Sequence, residues 1–319
     1  MAGDRAEVLI PSWNRAAVLA RALESLRRQS LPCDVCVIDN GSSDGSAELV
    51  RDRYPEARLI ELPENVGFGA AVNAGARSSR ARLIVLLNND TVADPAFVEQ
   101  IAVTAGESGA EMVAGCLRRP DGKVDTLGVV LDQSLVPYEL AHGEPYGDPP
   151  HRELEPLAPC GGAAGFVREA FLEVDGFDEG FFAYLEDAEL GIRMRMAGMR
   201  CALAYEAFAW HEHAGTLGSG SAAKNRLIAE GRSRLIRRYG ANLSRRDRVR
   251  GAALDAAVYA GQAVLDRNLG AIRGRFAARS RQTVAEPPVR GDFRRVPLAR
   301  MGLAESLAAK LARRRSAAP

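Results

Sequence analysis

The chain is 319 residues long, 47% hydrophobic and nearly neutral, with 42 Lys and Arg against 41 Asp and Glu. That length predicts one large or two modest domains; no apolar run of about 18 residues marks a transmembrane helix, and the short polar start Met1–Arg5 predicts no signal peptide. The charge is uneven: residues 224–319 hold about 23 Lys and Arg against about 7 Asp and Glu, and the remainder is acidic by about 15.

Taken in order, Glu7–Trp13 (EVLIPSW) reads as a first strand, stopped by Pro11 and a polar turn. Asn14 is placed to cap the next helix, where Val18, Leu19, Ala22, Leu23 and Leu26 recur at helical spacing. A second strand, Asp34–Asn40, again ends on polar residues, and Gly41–Ser46 is a turn and helix start. Cys33 and Cys36 have C-x-x-C spacing inside that strand-like run, but no second pair completes a zinc site. Five scattered cysteines fit a reducing cytoplasm. Arg58–Leu62 is a third strand, and Glu64–Gly69 leads into a helix of small residues, Ala70–Ser79. Leu83–Leu87 is a continuous apolar run, the pattern of a strand buried on both faces, and it passes straight into Asn88, Asn89 and Asp90.

Strands alternating with helices at this spacing imply a parallel sheet with right-handed crossovers. The polar ends Ser12/Asn14, Asp39/Asn40, Asn65 and Asn88–Asp90 then share its carboxyl edge, where open α/β sheets bind ligands. Asn88, Asn89 and Asp90 offer hard oxygen ligands suited to Mg2+ or Mn2+ beside a diphosphate; on their own they fit an Asn/Asp turn equally well. No G-x-G-x-x-G follows the first strand, so a nicotinamide cofactor is not expected despite Gly67-Phe68-Gly69.

Asp94-Pro95 opens another helix with Pro at its first position, and Glu111–Leu117 is a further strand. Residues 118–150, rich in Gly, Pro and charge, read as a hairpin and a mobile loop. Pro159–Gly165 (PCGGAAG) either lets the backbone approach a ligand or packs a tight turn. Glu186–Ala197 is helical, with Glu186-Asp187 at its positive end, where capping alone would account for them. Met199–Phe208 is strand-like, and Trp210-His211-Glu212-His213 follows with a weakly metal-like His-x-His. From Ala222 the chain turns helical and arginine-rich. Leu227, Leu235 and Ile236, then Leu254, Ala257, Val258 and Leu265, predict two amphipathic helices. Pro287-Pro288 marks a break, and Arg313–Arg315 is expected to be disordered.

These blocks resemble the family 2 glycosyltransferases of inverting, GT-A type, and within them the bacterial rhamnosyltransferase-like members. The resemblance covers about residues 6–240. It rests on IPSWNR at 10–15, VIDNGSSDGS at 37–46, ENVGFGAAVNAG at 64–75, LLNND at 86–90, GFDEGFFAYLEDAELGIRMRMAG at 176–198 and AWH at 209–211. It implies an α/β fold with a Rossmann-like, mostly parallel central sheet flanked by helices. The catalytic domain would span residues 1–221, with a nucleotide-binding half over about 1–117 and an acceptor half over about 118–221. Residues 222–319 would form a basic helical C-terminal extension.

The resemblance also implies roles. Asp39 matches a carboxylate that accepts a hydrogen bond from the pyrimidine ring of the nucleotide. Pro11, Ser12 and Asn14 match the loop beneath it, and Asn65 with the glycines after it, Gly69 among them, lines the nucleotide side. Asn88-Asn89-Asp90 stands where the family carries Asp-x-Asp; with Asn88 in place of the first carboxylate, Asp90 becomes the main protein carboxylate on the ion, and Asn88 and Asn89 fall to the nucleotide. His211 matches a metal-binding histidine of some members, with His213 a bystander. Asp187 matches the catalytic base, with Glu186 beside it positioning the acceptor, and Gly161 and Gly162 let the chain pass close to the donor sugar.

The implied reaction is a metal-assisted, inverting transfer from a nucleotide-diphosphate sugar to a hydroxyl of a cell-envelope polysaccharide or lipid-linked acceptor. The first donor to consider is dTDP-rhamnose, with other UDP- or GDP-sugars as alternatives and Mg2+ or Mn2+ as cofactor. The departure at Asn88 leaves a catalytically weak nucleotide-sugar-binding protein as the alternative. The basic amphipathic tail suits peripheral attachment at the inner face of the cell membrane, or a pair of helices packed on the catalytic domain, or a homo-oligomer interface. No aromatic interleaving accompanies its arginines, so nucleic acid is not an expected partner.

Overall fold

The computed structural model describes residues 6–147, 155–211, 220–277, 288 and 290–316. His213 and Pro287, singled out above, lie outside these residues, as do residues 148–150 of the expected loop. The first half runs β1 (Glu7–Ser12), α1 (Ala16–Leu26), β2 (Asp34–Asp39), α2 (Ser46–Arg53), β3 (Arg58–Glu61), α3 (Phe68–Ser78), β4 (Leu83–Leu87), β5 (Thr91–Ala93), α4 (Phe97–Ser108) and β6 (Met112–Arg118). The second half runs β7 (Val124–Thr126), β8 (Val129–Asp132), β9 (Pro137–Glu139), β10 (Ala163–Val167), α5 (Arg168–Glu173), α6 (Glu186–Met196) and β11 (Cys201–His211). Then follow α7 (Ala222–Tyr239), α8 (Arg245–Leu265), α9 (Gly270–Ala277), β12 (Leu298–Ala299) and α10 (Leu303–Ser316).

The main sheet has the order β3-β2-β1-β4-β10-β6-β11-β5, with β7 paired to β6. β1, β2, β3 and β4 are mutually parallel, as are β6 and β11. The period-2 alternation of these strands divides their side chains between two cores. Val8, Ile10, Val37, Val85 and Leu87 face α1 and α4, packing with Leu19, Leu23, Phe97 and Ile101. Leu9, Cys36, Ile38, Ile84 and Leu86 face the other way, into a core shared with α3, α5 and α6.

Several expectations change. Pro159–Gly165 is a tight turn only in part: Ala163 N donates to Cys160 O at 3.0 Å, and Ala163–Val167 is a central strand, antiparallel to both β4 and β6. Its small residues are what the close layers above and below it require. A Cβ on Gly165 would lie 2.5 Å from Ile101 Cγ2. Asn14 does not cap α1; that role belongs to Asp44, whose Oδ2 accepts from Ala16 N at 3.0 Å, while Asn14 Oδ1 accepts from Ser43 N at 2.9 Å. α4 begins at Phe97, two residues after Pro95. Within 118–150 the chain forms β7 and part of a second sheet, β12-β8-β9. The backbone of residues 313–315 continues α10. All five cysteines are free thiols.

Residues 222–316 are not a separate unit. Leu235, Tyr239, Leu243 and Val296 belong to the same core as Leu9 and Ile84, and β12 pairs with β8. Among the described residues no helix is long and apolar enough to cross a membrane.

Gly165→Val places a branched side chain where Ile101 and Val113 already touch. It is expected to destabilise the fold by about 3 kcal/mol, read as a lowered urea midpoint, since over-packed cores lose roughly this much.

Candidate active site

The parallel register brings the predicted polar residues together. Ser12 pairs with Asp39 at the ends of β1 and β2, and β4 delivers Asn88–Asp90 to the same edge. Ser12 is buried and its Oγ accepts from Asn89 Nδ2 at 3.0 Å, so Asn89 is tied to the β1 loop. Asn14 N donates to Ser42 Oγ at 2.8 Å. Pro11 is half-buried in β1. Asp39 is buried; its Oδ2 accepts from Ser42 N at 3.1 Å, and its Oδ1 has no hydrogen-bond partner among the described residues. A buried carboxylate oxygen without a donor is costly unless a ligand supplies one.

Asn40 holds the next loop. Its Nδ2 donates to Asn65 Oδ1 and to Gly67 O, each at 3.1 Å, and its Oδ1 accepts from Val66 N at 2.9 Å. Asn65 Oδ1 is thereby committed to shaping the loop. Three glycines pack tightly against protein. Gly69 is buried in α3, where a Cβ would meet Phe177 Cβ at 2.8 Å. Gly161 faces the Phe68 ring and Gly162 faces Asn88 Nδ2, each 2.8 Å from where a Cβ would sit. Gly162 also accepts from Asn88 N through its carbonyl at 3.3 Å, which fixes Asn88 at the strand end.

Asp90 and His211 meet because β5 runs antiparallel to β11, with Thr91 opposite His211. His211 Nε2 lies 3.3 Å from Asp90 Oδ1, and His211 Nδ1 lies 2.8 Å from Asp125 Oδ2. Burial draws the His211 imidazole down, but hydrogen bonds and charge from Asp125 and Asp90 outweigh it and raise the group to about 10. Burial pushes the Asp90 carboxyl up, yet His211 and the Arg15 guanidinium hold it below its ordinary value. Arg15 Nη1 is itself buried, with no hydrogen-bond partner among the described residues.

Asp125 extends the cluster. Its backbone O lies 2.7 Å from His142 Nδ1, and Glu139 Oε2 lies 3.3 Å from the same nitrogen. Asp125, Glu139 and His142 bring ligand-type atoms within 4.8 Å of one another. No sequence pattern marks these three or Arg15 as site residues. Asp125 sits in β7, beside the irregular β6–β7 pairing, and no motif in the sequence marks it.

Glu186 and Asp187 open α6, behind Leu185 in the left-handed conformation. Glu186 is buried, and its Oε2 has no partner among the described residues. Burial first, and then the neighbouring Asp187 charge, push its carboxyl up to about 8. Asp187 is half-buried and its Oδ1 accepts from Ala188 N at 2.7 Å. Burial thus favours the neutral form of Glu186, next to the half-buried Asp187. Burial also pushes the Cys160 thiol well up, with the charges of Asp187, Glu139 and Asp125 adding to the shift.

The residues fit a divalent cation. Two cis ligands of an octahedral ion at ~2.1 Å stand about 3 Å apart, close to the Asp90–His211 separation, and a carboxylate–imidazole pair is a donor set such ions accept.

The fold is that of a GT-A glycosyltransferase. The mannosyltransferase PcManGT of Pyrobaculum calidifontis, in complex with GDP-Man and Mn2+, matches with a TM-score of 0.55 at 17% identity, covering 98% of this chain and 88% of that one. More particularly, residues 7–174 match glycosyl transferase family 2, and the chain belongs to that family. The N-acetylglucosaminyl-diphospho-decaprenol L-rhamnosyltransferase of Mycobacterium tuberculosis is 28% identical over 225 residues, 61% of this chain and 72% of that one. The validoxylamine A glucosyltransferase of Streptomyces hygroscopicus subsp. jinggangensis is 36% identical over 116 residues, 34% of this chain and 28% of the relative.

The raised Glu186 carboxyl has a consequence for stability. Its folded value of about 8 lies above its ordinary 4.5, so its contribution is complete below about pH 4.5 and is lost as pH rises through 8. The wild-type melting temperature is expected to fall across this window, while Glu186→Gln, which cannot ionise, keeps a melting temperature higher by about 5 °C at pH 9. Parallel curves for the two proteins would show that the carboxyl does not titrate there.

Proposed function

We propose that this family 2 glycosyltransferase moves one sugar, with inversion, from a nucleoside-diphosphate donor to a hydroxyl of a lipid-linked or polysaccharide acceptor. The observation that carries the reading is the 3.3 Å pairing of Asp90 and His211 at the sheet edge that also holds Asp39. The similarity to the mycobacterial rhamnosyltransferase supports dTDP-rhamnose as the first donor to test and an isoprenoid diphosphate sugar as the first acceptor class.

In this reading Asp39 Oδ1 accepts the ring N–H of a pyrimidine base, which supplies the donor that the buried oxygen lacks. Arg15 turns its guanidinium to the diphosphate. Asp90 and His211 hold the divalent cation, which when bound neutralises the leaving diphosphate. Asp125 is a positioning residue: its carboxylate holds His211 Nδ1 and so points Nε2 at Asp90, as carboxylates behind metal-bound histidines do. Asp187 removes the proton of the acceptor hydroxyl as that oxygen attacks the anomeric carbon and the bond to the nucleotide breaks. Glu186, neutral at pH 7, donates a hydrogen bond to the acceptor.

Three experiments test these roles. Thermal shifts with dTDP, UDP and GDP, with and without Mn2+, should show a cation-dependent rise for one nucleotide that Asp39→Ala abolishes. Asp187→Asn should keep that rise while donor turnover falls about a hundred- to ten-thousandfold. A wild-type protein that binds nucleotide but neither hydrolyses nor transfers the donor would instead be a binding protein. Asp125→Ala should weaken Mn2+ binding about 10- to 100-fold, measured by the EPR signal of free Mn2+; unchanged affinity would remove Asp125 from the site.

A further inference from the structure

The stretch from the end of α8 through α9 has an unusual surface. Its large exposed side chains are Val264, Leu265, Leu269, Ile272 and Phe276, with Val264 74% and Phe276 63% exposed. The other exposed side chains of residues 264–276 are Arg267 and Arg273. Asp266, the acidic residue of the stretch, turns inward and accepts from Asn225 Nδ2 at 3.0 Å. α9 presents this face because its opposite face is pinned to α7: a Cβ on Gly270 or Gly274 would strike the carbonyl oxygen of Ala222 or Arg226. The result is an apolar ridge carrying arginine and no exposed carboxylate.

We propose that this ridge docks the enzyme on an anionic lipid bilayer, its apolar side chains entering the acyl boundary and Arg267 and Arg273 meeting lipid phosphates. An apolar ridge alone would fit any partner, but exclusive pairing with cations is the complement of an anionic membrane surface. Its place suits the chemistry. α9 rests on the start of α7, where the Lys224 ammonium lies 5.3 Å from the Tyr184 ring centre, two residues before Glu186. The ridge is thereby linked through α7 to the loop that leads into α6, and a lipid-linked acceptor would find the enzyme already at the bilayer. That last point rests on the acceptor proposed above; the ridge itself does not.

The test is flotation of the full chain with phosphatidylcholine vesicles, with and without phosphatidylglycerol. The wild type should float with the anionic vesicles alone, and less as salt rises. Arg267→Ala with Arg273→Ala should weaken binding roughly thirtyfold at low salt, about fivefold for each arginine. Leu269→Glu with Phe276→Glu should abolish it. Both double variants should keep the wild-type melting temperature and its Mn2+-dependent nucleotide shift, because the changed side chains are exposed. Wild-type binding that survives both double substitutions, or no binding to anionic vesicles at all, overturns the proposal. So does a wild-type dimer that the glutamate variant turns into a monomer without any vesicle binding, which would give the ridge to a second copy of the chain. A chain that floats but binds no nucleotide would refute the transferase reading and leave the ridge standing.

Discussion

One buried carboxylate, Glu189, holds α6, the loop that leads into it and α7 together. It lies on α6 two residues after Asp187, is fully buried, and accepts from Arg193 Nε at 2.9 Å, Arg193 Nη2 at 2.7 Å and Tyr239 OH at 2.7 Å. Arg238 Nη1 stands 3.1 Å away and also bonds Asp178 at 3.0 Å. Arg193 further donates to the carbonyls of Val174 and Gly176. A charge buried this deeply persists only when its partners are complete, and removing one leaves the rest uncompensated at about 3–5 kcal/mol. The network thus locks three segments to one another: α6, the loop that leads into it, and α7. The positions of Glu186 and Asp187 follow from that lock. Through Tyr239 and Arg238, α7 is for this reason part of the packing that positions the start of α6.

A second linkage joins the two halves of the sheet. The two nitrogens of His211 face carboxylates from different places: Asp90 follows β4, and Asp125 lies on β7. The imidazole is the shared group, and antiparallel pairing of β5 with β11 sets its distance from Asp90. Without a cation, its proton balances the two acidic neighbours. Both sides of the pocket therefore converge on a group whose orientation neither half fixes alone.

Much of this was legible in the sequence. Continuous apolar runs ending on polar residues, as at Leu83–Asp90, report both strand burial and the ligand edge, because parallel β strands bury two faces and open at one end. That logic puts Asp39 and Asn88–Asp90 at one edge, and the structure has them there; Glu186-Asp187 and His211 are marked only by the resemblance of the blocks. What could not be read is what only three-dimensional contact creates. Ala163–Val167 has the composition of a turn, yet its small residues are demanded by Ile101 and Val113 pressing on a central strand. The glycines at 69, 161 and 162 are explained by Phe177, Phe68 and Asn88, none of which is their sequence neighbour. Asp125 lies in a short strand whose irregular pairing with β6 no local pattern announces.

The basic tail carries the sharpest lesson about composition. Its excess of arginine reads as a membrane signal, but many of those charges point inward. Arg232 is buried, donating to the carbonyls of Ser134 and Leu135 at 2.8 Å each and pairing with Asp255. Arg250 bonds Asp132, itself fully buried, at 2.7 Å, and Arg238 completes the Glu189 network. Arg238 and Arg250 thus compensate carboxylates of the acidic body without any lipid. A guanidinium already satisfied by carbonyls and carboxylates has little left to offer a phosphate. The case for a bilayer therefore cannot rest on the count of arginines. It rests on Arg267 and Arg273, which remain at the surface among exposed apolar side chains while the adjacent Asp266 is turned away.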